Sequence, residues 1–304
     1  MGILGDRYGW RDRNAGLSAE TDHEQISRTI SQLEFPWDVQ QALSFALFRT
    51  YAVPSIGRLL AETDEFVEAT QKRHDDTALV LDAVLRDGME SPDGRSAVRR
   101  MNQMHGSYDI SNADMVYVLS TFVVMPVRWI ARYGWRDLTP HEVVASVTYY
   151  QRLGRLMGIA DVPADFAGFE AFLEDYEVRE FAFDEGGRAV ADATLELFTT
   201  FYPRPLRPAM RVFAVALMDE HLRRAFRYDD PPAWVVRLAH TSLTARGRLV
   251  RLLPPRRRPY DLRASHRIRS YPGGHLVEQL GTFPVTPGSD PEPTRGPAPE
   301  PQRR

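Results

Sequence analysis

Apolar side chains recur every three or four residues along most of this chain, the spacing that gives an α-helix one apolar face. The sequence contains no convincing series of alternating apolar and polar residues or of Asn-Gly turns, which are the signals of β-hairpins. It therefore predicts an all-α fold in a single large helical domain. The predicted helices lie at about 39–48, 54–60, 64–86, 95–108, 111–134, 139–158, 166–179, 188–200, 205–227 and 232–253.

Two changes in composition set the expected domain limits. Residues 254–259 read PPRRRP, which cannot continue a helix because proline lacks a backbone N–H group. Residues 285–304 contain six prolines and few apolar side chains, so they cannot bury enough surface to offset the entropy lost on ordering. We expect an N-terminal segment at 1–35, a helical domain at 36–284 and a disordered Pro-rich tail at 285–304.

The lack of cysteine and the small net charge exclude several classes of protein. Without cysteine, the chain has no disulfide, thiolate nucleophile, zinc finger or thiolate haem ligand. The net charge of -3 gives no bulk attraction to nucleic acid, so we expect no nucleic-acid partner. No Gly-x-Ser-x-Gly, P-loop or Gly-x-Gly-x-x-Gly motif is present, which leaves hydrolase and nucleotide-binding functions without support.

The chain shows no signal for export or membrane insertion. Residues 1–14 carry five charges and no apolar stretch of the kind found in signal peptides, which favours a cytoplasmic protein. The most apolar run, 115–127, is shorter than the roughly 20 residues that a membrane-spanning helix needs. It predicts a buried core helix, and we expect no transmembrane segment. Peripheral membrane contact and the oligomeric state are left open by the sequence.

Two motifs mark helix starts. Ser111 and Asp114 have side chains that can satisfy free backbone N–H groups at the start of the apolar helix. Thr139 and Glu142, three residues apart with a proline between them, form the pattern of a capping box. His141 then falls at an exposed helix start, and we assign it no catalytic role.

His105 is the first candidate for a chemical role. It lies near the end of an amphipathic helix, with Met101 four residues before it and Tyr108 three residues after it on the same face. Burial among apolar groups keeps an imidazole neutral and leaves a ring nitrogen free to ligate a haem iron. A core histidine that is hydrogen-bonded to a carbonyl group explains the same pattern, and this segment alone favours that alternative.

Arg73 and Thr77 are four residues apart and therefore share one face of the preceding helix. A fixed cation and a hydroxyl group on one face could stabilise charge on bound dioxygen and orient it or a water molecule. The alternative is an ion pair between Arg73 and Asp76 on a solvated face. The local sequence by itself favours the ion pair.

Seven blocks of sequence resemble the MpaB and rubber-oxygenase family, which includes the latex-clearing proteins. They are FRTYAVPSI at 48–56, KRHDDT at 72–77, RMNQMHG at 100–106, ISNADMVYVLS at 110–120, RYGWR at 132–136, LGRLMGI at 153–159 and SYPGG at 270–274. Their order and spacing cover most of the chain from about 48 to 283. The blocks are more similar to the MpaB-like branch than to the latex-clearing branch.

This resemblance implies a globin-reminiscent helical bundle that binds haem b and uses dioxygen to cleave a carbon–carbon double bond in an isoprenoid or other apolar substrate. His105 matches the proximal haem ligand of the family, which makes it the expected metal ligand. Arg73 and Thr77 match the arginine and threonine of the distal helix, and are the expected catalytic and cofactor-binding residues. The latex-clearing proteins have a lysine just before that threonine, where this chain has Asp76. This departure leaves the substrate and the reaction outcome open.

Two other functions use the same residues. A haem peroxygenase or monooxygenase would insert one oxygen atom into the substrate within the same pocket. A non-enzymatic haem carrier or gas sensor would bind the cofactor without turnover. The resemblance ranks the oxygenase first, because double-bond cleavage is the chemistry that it implies.

Overall fold

The computed structural model describes residues 6–63 and 69–281. Within these ranges the chain forms thirteen α-helices and no β-strand, which confirms the all-α prediction. The helices are α1 (Gly9–Ala15), α2 (His23–Thr29), α3 (Pro36–Tyr51), α4 (Pro54–Glu62), α5 (Thr70–Asp87), α6 (Pro92–His105), α7 (Asn112–Tyr133), α8 (Pro140–Leu156), α9 (Phe166–Glu180), α10 (Glu185–Thr199), α11 (Arg207–Leu217), α12 (Glu220–Phe226) and α13 (Ala233–Arg251). The start of the helix predicted at 64–86 and the tail predicted at 285–304 lie outside the described residues.

Helix α7 lies inside the bundle and packs against α3, α8, α9 and α13. Its side chains Tyr117, Val123 and Val124 belong to a buried apolar cluster. With 22 residues α7 is longer than the apolar run at 115–127, and its length and composition alone would allow it to cross a membrane. In this fold 56% of its most apolar stretch is buried within the protein, as expected of a core helix.

The start of α7 differs in one detail from the prediction. The hydroxyl group of Ser111 accepts a hydrogen bond from the backbone N–H of Asp114 at 3.0 Å, which confirms this cap. The Asp114 carboxylate, expected to bind backbone N–H groups, instead accepts hydrogen bonds from the hydroxyl groups of Ser55, Ser111 and Tyr176. Asp114 therefore ties α7 to α4 and α9.

The prediction of one helix over 205–227 is wrong, because the chain turns between α11 and α12. Met218 adopts an extended conformation, with φ −69° and ψ 139°. The Asp219 side chain then accepts a hydrogen bond from the backbone N–H of Leu222 at 2.9 Å and begins a new helix. An N-cap aspartate inside a continuing apolar pattern is the signal that periodicity alone did not reveal.

Two short helices near the N-terminus, α1 and α2, are not predicted by the sequence. Each has seven residues, too few to produce a clear apolar periodicity. Their stability comes from packing rather than from the helices themselves. Ile26, Ile30 and Phe35 lie in one buried cluster with Ile130 of α7 and Trp135.

Arg136 joins the segment that follows α2 to the start of α8 through buried charges. Its guanidinium group donates hydrogen bonds to the carboxylate of Glu142, at 2.7 and 2.8 Å, and to that of Glu34. The three side chains are 7%, 1% and 1% exposed. Asn14 of α1 also donates to Glu142, at 3.0 Å. Because Glu142 forms the predicted capping box with Thr139 as well, one carboxylate both begins α8 and holds α1.

We expect Arg136→Leu to lower the free energy of unfolding by about 3–5 kcal/mol, because it leaves two buried carboxylates without their cation. Arg128→Leu is the matched control, since Arg128 pairs with Glu170 and Glu174 where the side chains are 37% or more exposed. The control should lose no more than about 1 kcal/mol. Urea denaturation at pH 7 measures both values, and equal losses would contradict the structural role of Arg136.

Candidate functional site

Helices α5 and α6 pack together and bring the three predicted site residues to one cavity. Arg73 and Thr77 lie on α5, His105 is the last residue of α6, and all three line a cavity of about 400 Å³. Small-molecule and cofactor sites commonly measure about 300 to 1,000 Å³. Most of the remaining wall is aliphatic or aromatic and comes from α3, α4, α7 and the loops beside them. The structure thus groups these side chains, while their chemical roles remain predictions.

His105 presents a neutral imidazole to this cavity. The ring is partly buried, and its Nδ1 atom is buried without a hydrogen-bond partner among the described residues. Burial and the nearby positive charge of Arg73 lower the pKa of His105 to about 4, so the ring is neutral at pH 7. The carbonyl bond that a core histidine would form at Nδ1 is therefore not found within 6–63 and 69–281. Met101 and Tyr108 line the same cavity.

Thr77 and Arg73 offer different chemical groups to the cavity. The Thr77 hydroxyl group donates a hydrogen bond to the backbone carbonyl oxygen of Arg73, at 3.0 Å. With its proton directed to the backbone, the Thr77 oxygen keeps lone pairs that can accept a hydrogen bond from a ligand. The Arg73 side chain supplies a positive charge and N–H donors. Helix α5 therefore provides both a cation and a hydrogen-bond acceptor.

Asp76 does not lie on a solvated face, as the ion-pair alternative for Arg73 requires. Its carboxylate is 1% exposed. It accepts hydrogen bonds from Lys72 Nζ, at 2.7 Å, and from the hydroxyl group of Tyr271. The position where latex-clearing proteins have a lysine thus holds a buried carboxylate with two hydrogen-bond donors.

The neighbouring Asp75 fixes residues 262–281, which we call the C-terminal segment, to α5. Its Oδ2 atom accepts hydrogen bonds from the backbone N–H groups of Arg269 and Ser270, both at 2.9 Å. Burial raises the pKa of Asp75, but hydrogen bonds from His74 and from these N–H groups outweigh it and hold that pKa below its ordinary value. The sequence did not predict this role of Asp75, although two adjacent acids in a helix with apolar neighbours were an available signal.

His141 is partly buried, whereas the sequence predicts it at an exposed helix start. The N-terminal helices cover this end of α8, because α2 packs against α8 and α1 is bonded to Glu142. The Nε2 atom of His141 is buried and has no hydrogen-bond partner in the described part of the chain. The cavity does not include His141, so its position gives it no role in the site.

The donor set at the cavity fits a haem group better than a metal ion held by several side chains. Within residues 6–63 and 69–281, no three His, Asp or Glu side chains meet in a way that would hold a metal ion. A haem iron needs only an axial side chain, because the porphyrin supplies its in-plane donors. A neutral His105, whose Nδ1 atom has no partner in the part of the chain that the structure describes, satisfies this requirement beside Met101 and Met104.

The protein family follows from comparison with known sequences. The family model described as ER-bound oxygenase mpaB/B'/Rubber oxygenase, catalytic domain, matches residues 39–252. The chain belongs to the MpaB and rubber-oxygenase family. This MpaB-family protein is 32% identical over 261 residues to the ER-bound oxygenase mpaB' of Penicillium brevicompactum. It is 32% identical over 234 residues to the ER-bound oxygenase mpaB of Penicillium roqueforti, and 33% over 237 residues to that of Penicillium brevicompactum.

The alignments cover different fractions of this chain and of its relatives. They include 79%, 70% and 71% of this MpaB-family chain, respectively. The chain spans 62%, 78% and 60% of the lengths of these relatives. The range matched by the family model contains Arg73, Thr77 and His105 and ends before the C-terminal segment.

We expect Asp75→Asn to lower the free energy of unfolding by about 1.5–3 kcal/mol at pH 7, because it removes the charge that strengthens the bonds to Arg269 and Ser270. It should also speed proteolysis of the C-terminal segment. Asp137→Asn changes an exposed acid and is the control. The pKa of Asp75 in the folded protein lies below its ordinary value of 3.8. The contribution of the ionised Asp75 to the free energy of unfolding is therefore complete above pH 3.8 and is lost as the pH falls through the lowered pKa. Urea denaturation across this pH range checks both statements.

Proposed function

We propose that this MpaB-family protein is a haem b-dependent oxygenase that uses dioxygen to cleave a carbon–carbon double bond in an isoprenoid or other apolar substrate. Membership of the family supports an oxygenase. The observation that carries the haem proposal is the neutral His105 ring, whose Nδ1 atom is buried without a partner among the described residues. Arg73 and Thr77 line the same cavity, which supports a reaction at this place.

His105, Arg73 and Thr77 would have different roles, according to the chemistry of their side chains. Bound haem b would supply iron that reacts with dioxygen, a reaction outside the reach of side chains. His105 would hold the iron through a ring nitrogen, which its low pKa keeps unprotonated at pH 7. Arg73 would stabilise negative charge that develops on oxygen in the transition state. Thr77, as a hydrogen-bond acceptor, would orient a protonated oxygen or a water molecule.

The cavity wall supports an apolar substrate. Ile56, Val80, Leu119 and Met157 are among its aliphatic side chains. Such a wall excludes water and favours a hydrocarbon chain. Asp76 is bonded to Lys72 and Tyr271, so we do not assign it to the iron in place of the lysine of the latex-clearing branch.

Isotopically labelled dioxygen separates this proposal from its alternatives. Cleavage of a double bond by a dioxygenase puts label into both carbonyl fragments. A peroxygenase or monooxygenase leaves the carbon skeleton intact with a single inserted oxygen atom. A haem carrier or sensor shows a haem spectrum without turnover of any alkene.

We propose a cytoplasmic protein, as the sequence predicts, and leave the oligomeric state open. The relatives are named ER-bound, and that description is theirs. One surface supports peripheral contact with a membrane, because α13 exposes Trp234, Leu238 and Leu249 together with arginines and has no acidic residue.

We expect His105→Ala to abolish stable haem retention, because it removes the axial imidazole from the cavity. His141→Ala is the control, since it removes a second partly buried histidine that lies outside the cavity. The Soret absorbance per protein molecule, with and without dithionite and carbon monoxide, measures retention. A folded His105→Ala protein with a full Soret band would show that another group holds the haem.

We expect Arg73→Leu to retain haem but to lower turnover about 100-fold, as the loss of one preorganised charge-stabilising donor commonly does. Substrate binding should change far less, because the charge on oxygen develops only in the transition state. Thr77→Ala should show a smaller defect of the same kind. Arg152→Leu, in an exposed pair with Glu90, is the control. Steady-state kinetics at matched haem content measure the turnover of each variant. Wild-type turnover in Arg73→Leu would show that Arg73 has no catalytic role.

A further inference from the structure

A second cavity of about 190 Å³ lies beside the first. Its wall is formed largely by α2, α3, α5, α7 and α8, with contributions from the chain around Tyr260. The two cavities have five wall residues in common, which are Leu47, Thr77, Leu81, Phe122 and Leu153. Thr77, a predicted catalytic residue, is therefore exposed to both spaces. These five side chains therefore form the wall between the two cavities.

The shared wall is apolar and includes a fixed aromatic ring. Phe122 stacks on Tyr150 with an interplanar angle of 10° and a centroid distance of 6.3 Å. Leu153 is almost fully buried, and Leu47 and Leu81 are aliphatic. These side chains favour a hydrocarbon at the junction between the two cavities.

Ser27 is a polar group in the second cavity, and it indicates that the ligand carries a hydrogen-bonding atom in addition to its hydrocarbon part. The residue is 6% exposed, and its Oγ atom is buried without a hydrogen-bond partner among the described residues. A buried hydroxyl group without a partner is costly, so a native structure normally pairs it. Ser27 lines the second cavity but not the first. A ligand oxygen in the second cavity would supply the missing bond.

The acidic group of the second cavity is already paired with a cation, and its arginine lies against an aromatic ring, which favours a neutral ligand. Asp82 accepts a hydrogen bond from Arg86 at 2.7 Å. His74 lies 3.2 Å from the carboxylate of Asp75. The Arg267 guanidinium group lies over the ring of Phe201, 5.3 Å from its centroid.

We infer that the second cavity binds one end of a neutral alkenyl substrate, with a hydroxyl or carbonyl oxygen bonded to Ser27 and the chain passing Thr77 toward the first cavity. An apolar cavity of about 150 Å³ holds a benzene molecule, so this cavity has room for a short alkenyl unit. The placement of the double bond near Arg73 rests on the proposed function. The alkenyl character of the ligand rests on it as well, whereas the binding of a neutral apolar alcohol does not.

Equilibrium dialysis of the haem-loaded protein with geraniol, an alkenyl alcohol, and myrcene, its hydrocarbon counterpart, tests this inference. Ala78 lines the second cavity and not the first, so Ala78→Phe fills the space without touching the haem side. It should weaken the saturable binding of both probes, because a probe held in the first cavity alone loses every contact of the second. Ala171→Phe makes the same change at an exposed position of α9 and should leave binding unchanged. Should Ala78→Phe not fold, Ser146→Leu on another part of the wall replaces it.

Ser27→Ala tests the polar contact. It should weaken geraniol binding about three- to tenfold, the usual effect of one hydrogen bond, and leave myrcene binding unchanged. Equal weakening of both probes would show that Ser27 only supports the packing and would overturn the assignment. Absence of geraniol binding to the wild-type protein, or unchanged binding to both cavity-filling variants, would overturn the site itself. Intact geraniol binding, in a protein that keeps a full Soret band after His105→Ala, would contradict the proposed haem site and leave this inference standing.

Discussion

Two adjacent buried carboxylates on α5 hold together the parts of the protein that form the first cavity. Asp75 and Asp76 are 0% and 1% exposed, so each needs hydrogen-bond donors to offset the loss of water. Successive side chains on a helix point about 100° apart, which lets the two acids reach different donors. Asp75 accepts hydrogen bonds from two backbone N–H groups of the C-terminal segment, and Asp76 accepts them from the side chains of Lys72 and Tyr271. The C-terminal segment is therefore part of the framework that positions α5.

The position of α5 determines what the cavity contains. The face that carries Arg73 and Thr77 is turned toward the last residue of α6, His105. The C-terminal segment also reaches α6, because Arg100 donates a hydrogen bond to the carbonyl oxygen of Leu280 at 2.6 Å. One segment thus contacts both helices that supply the site. The neutral imidazole of His105 and the positive charge of Arg73 thus face one cavity, on helices that the C-terminal segment holds together.

Asp76 gives a physical reason for a difference between the branches of the family. A lysine at this position in the latex-clearing proteins has a side chain that can act as a ligand. In the present chain the same position carries a carboxylate whose oxygens are bonded to Lys72 and Tyr271. Its hydrogen bonds are structural, and Arg73 and Thr77 are the residues of α5 that we propose to act on dioxygen. Thr77 also lies where the two cavities meet, which connects that chemistry to the space proposed for the substrate.

The sequence by itself determined the features that depend on neighbouring residues. The helical class, the cap at Ser111 and the capping box of Thr139 and Glu142 follow from spacings of three or four residues, since these contacts form within one turn of a helix. The shared face of Arg73 and Thr77 follows in the same way. The sequence blocks also identified the family.

Tertiary structure alone decided which distant residues meet. Arg136 binds Glu34 across 102 positions, and Asp75 binds Ser270 across 195, at separations where no periodicity links the partners. Among the described residues the Nδ1 atom of His105 has no partner, and its apolar neighbours in the sequence could not show this, because an imidazole in such a segment is hydrogen-bonded or not according to what packs beside it. The same holds for Ser27 and the second cavity. Local spacing fixes where a side chain points on its own helix, and only the packing of helices fixes what it faces.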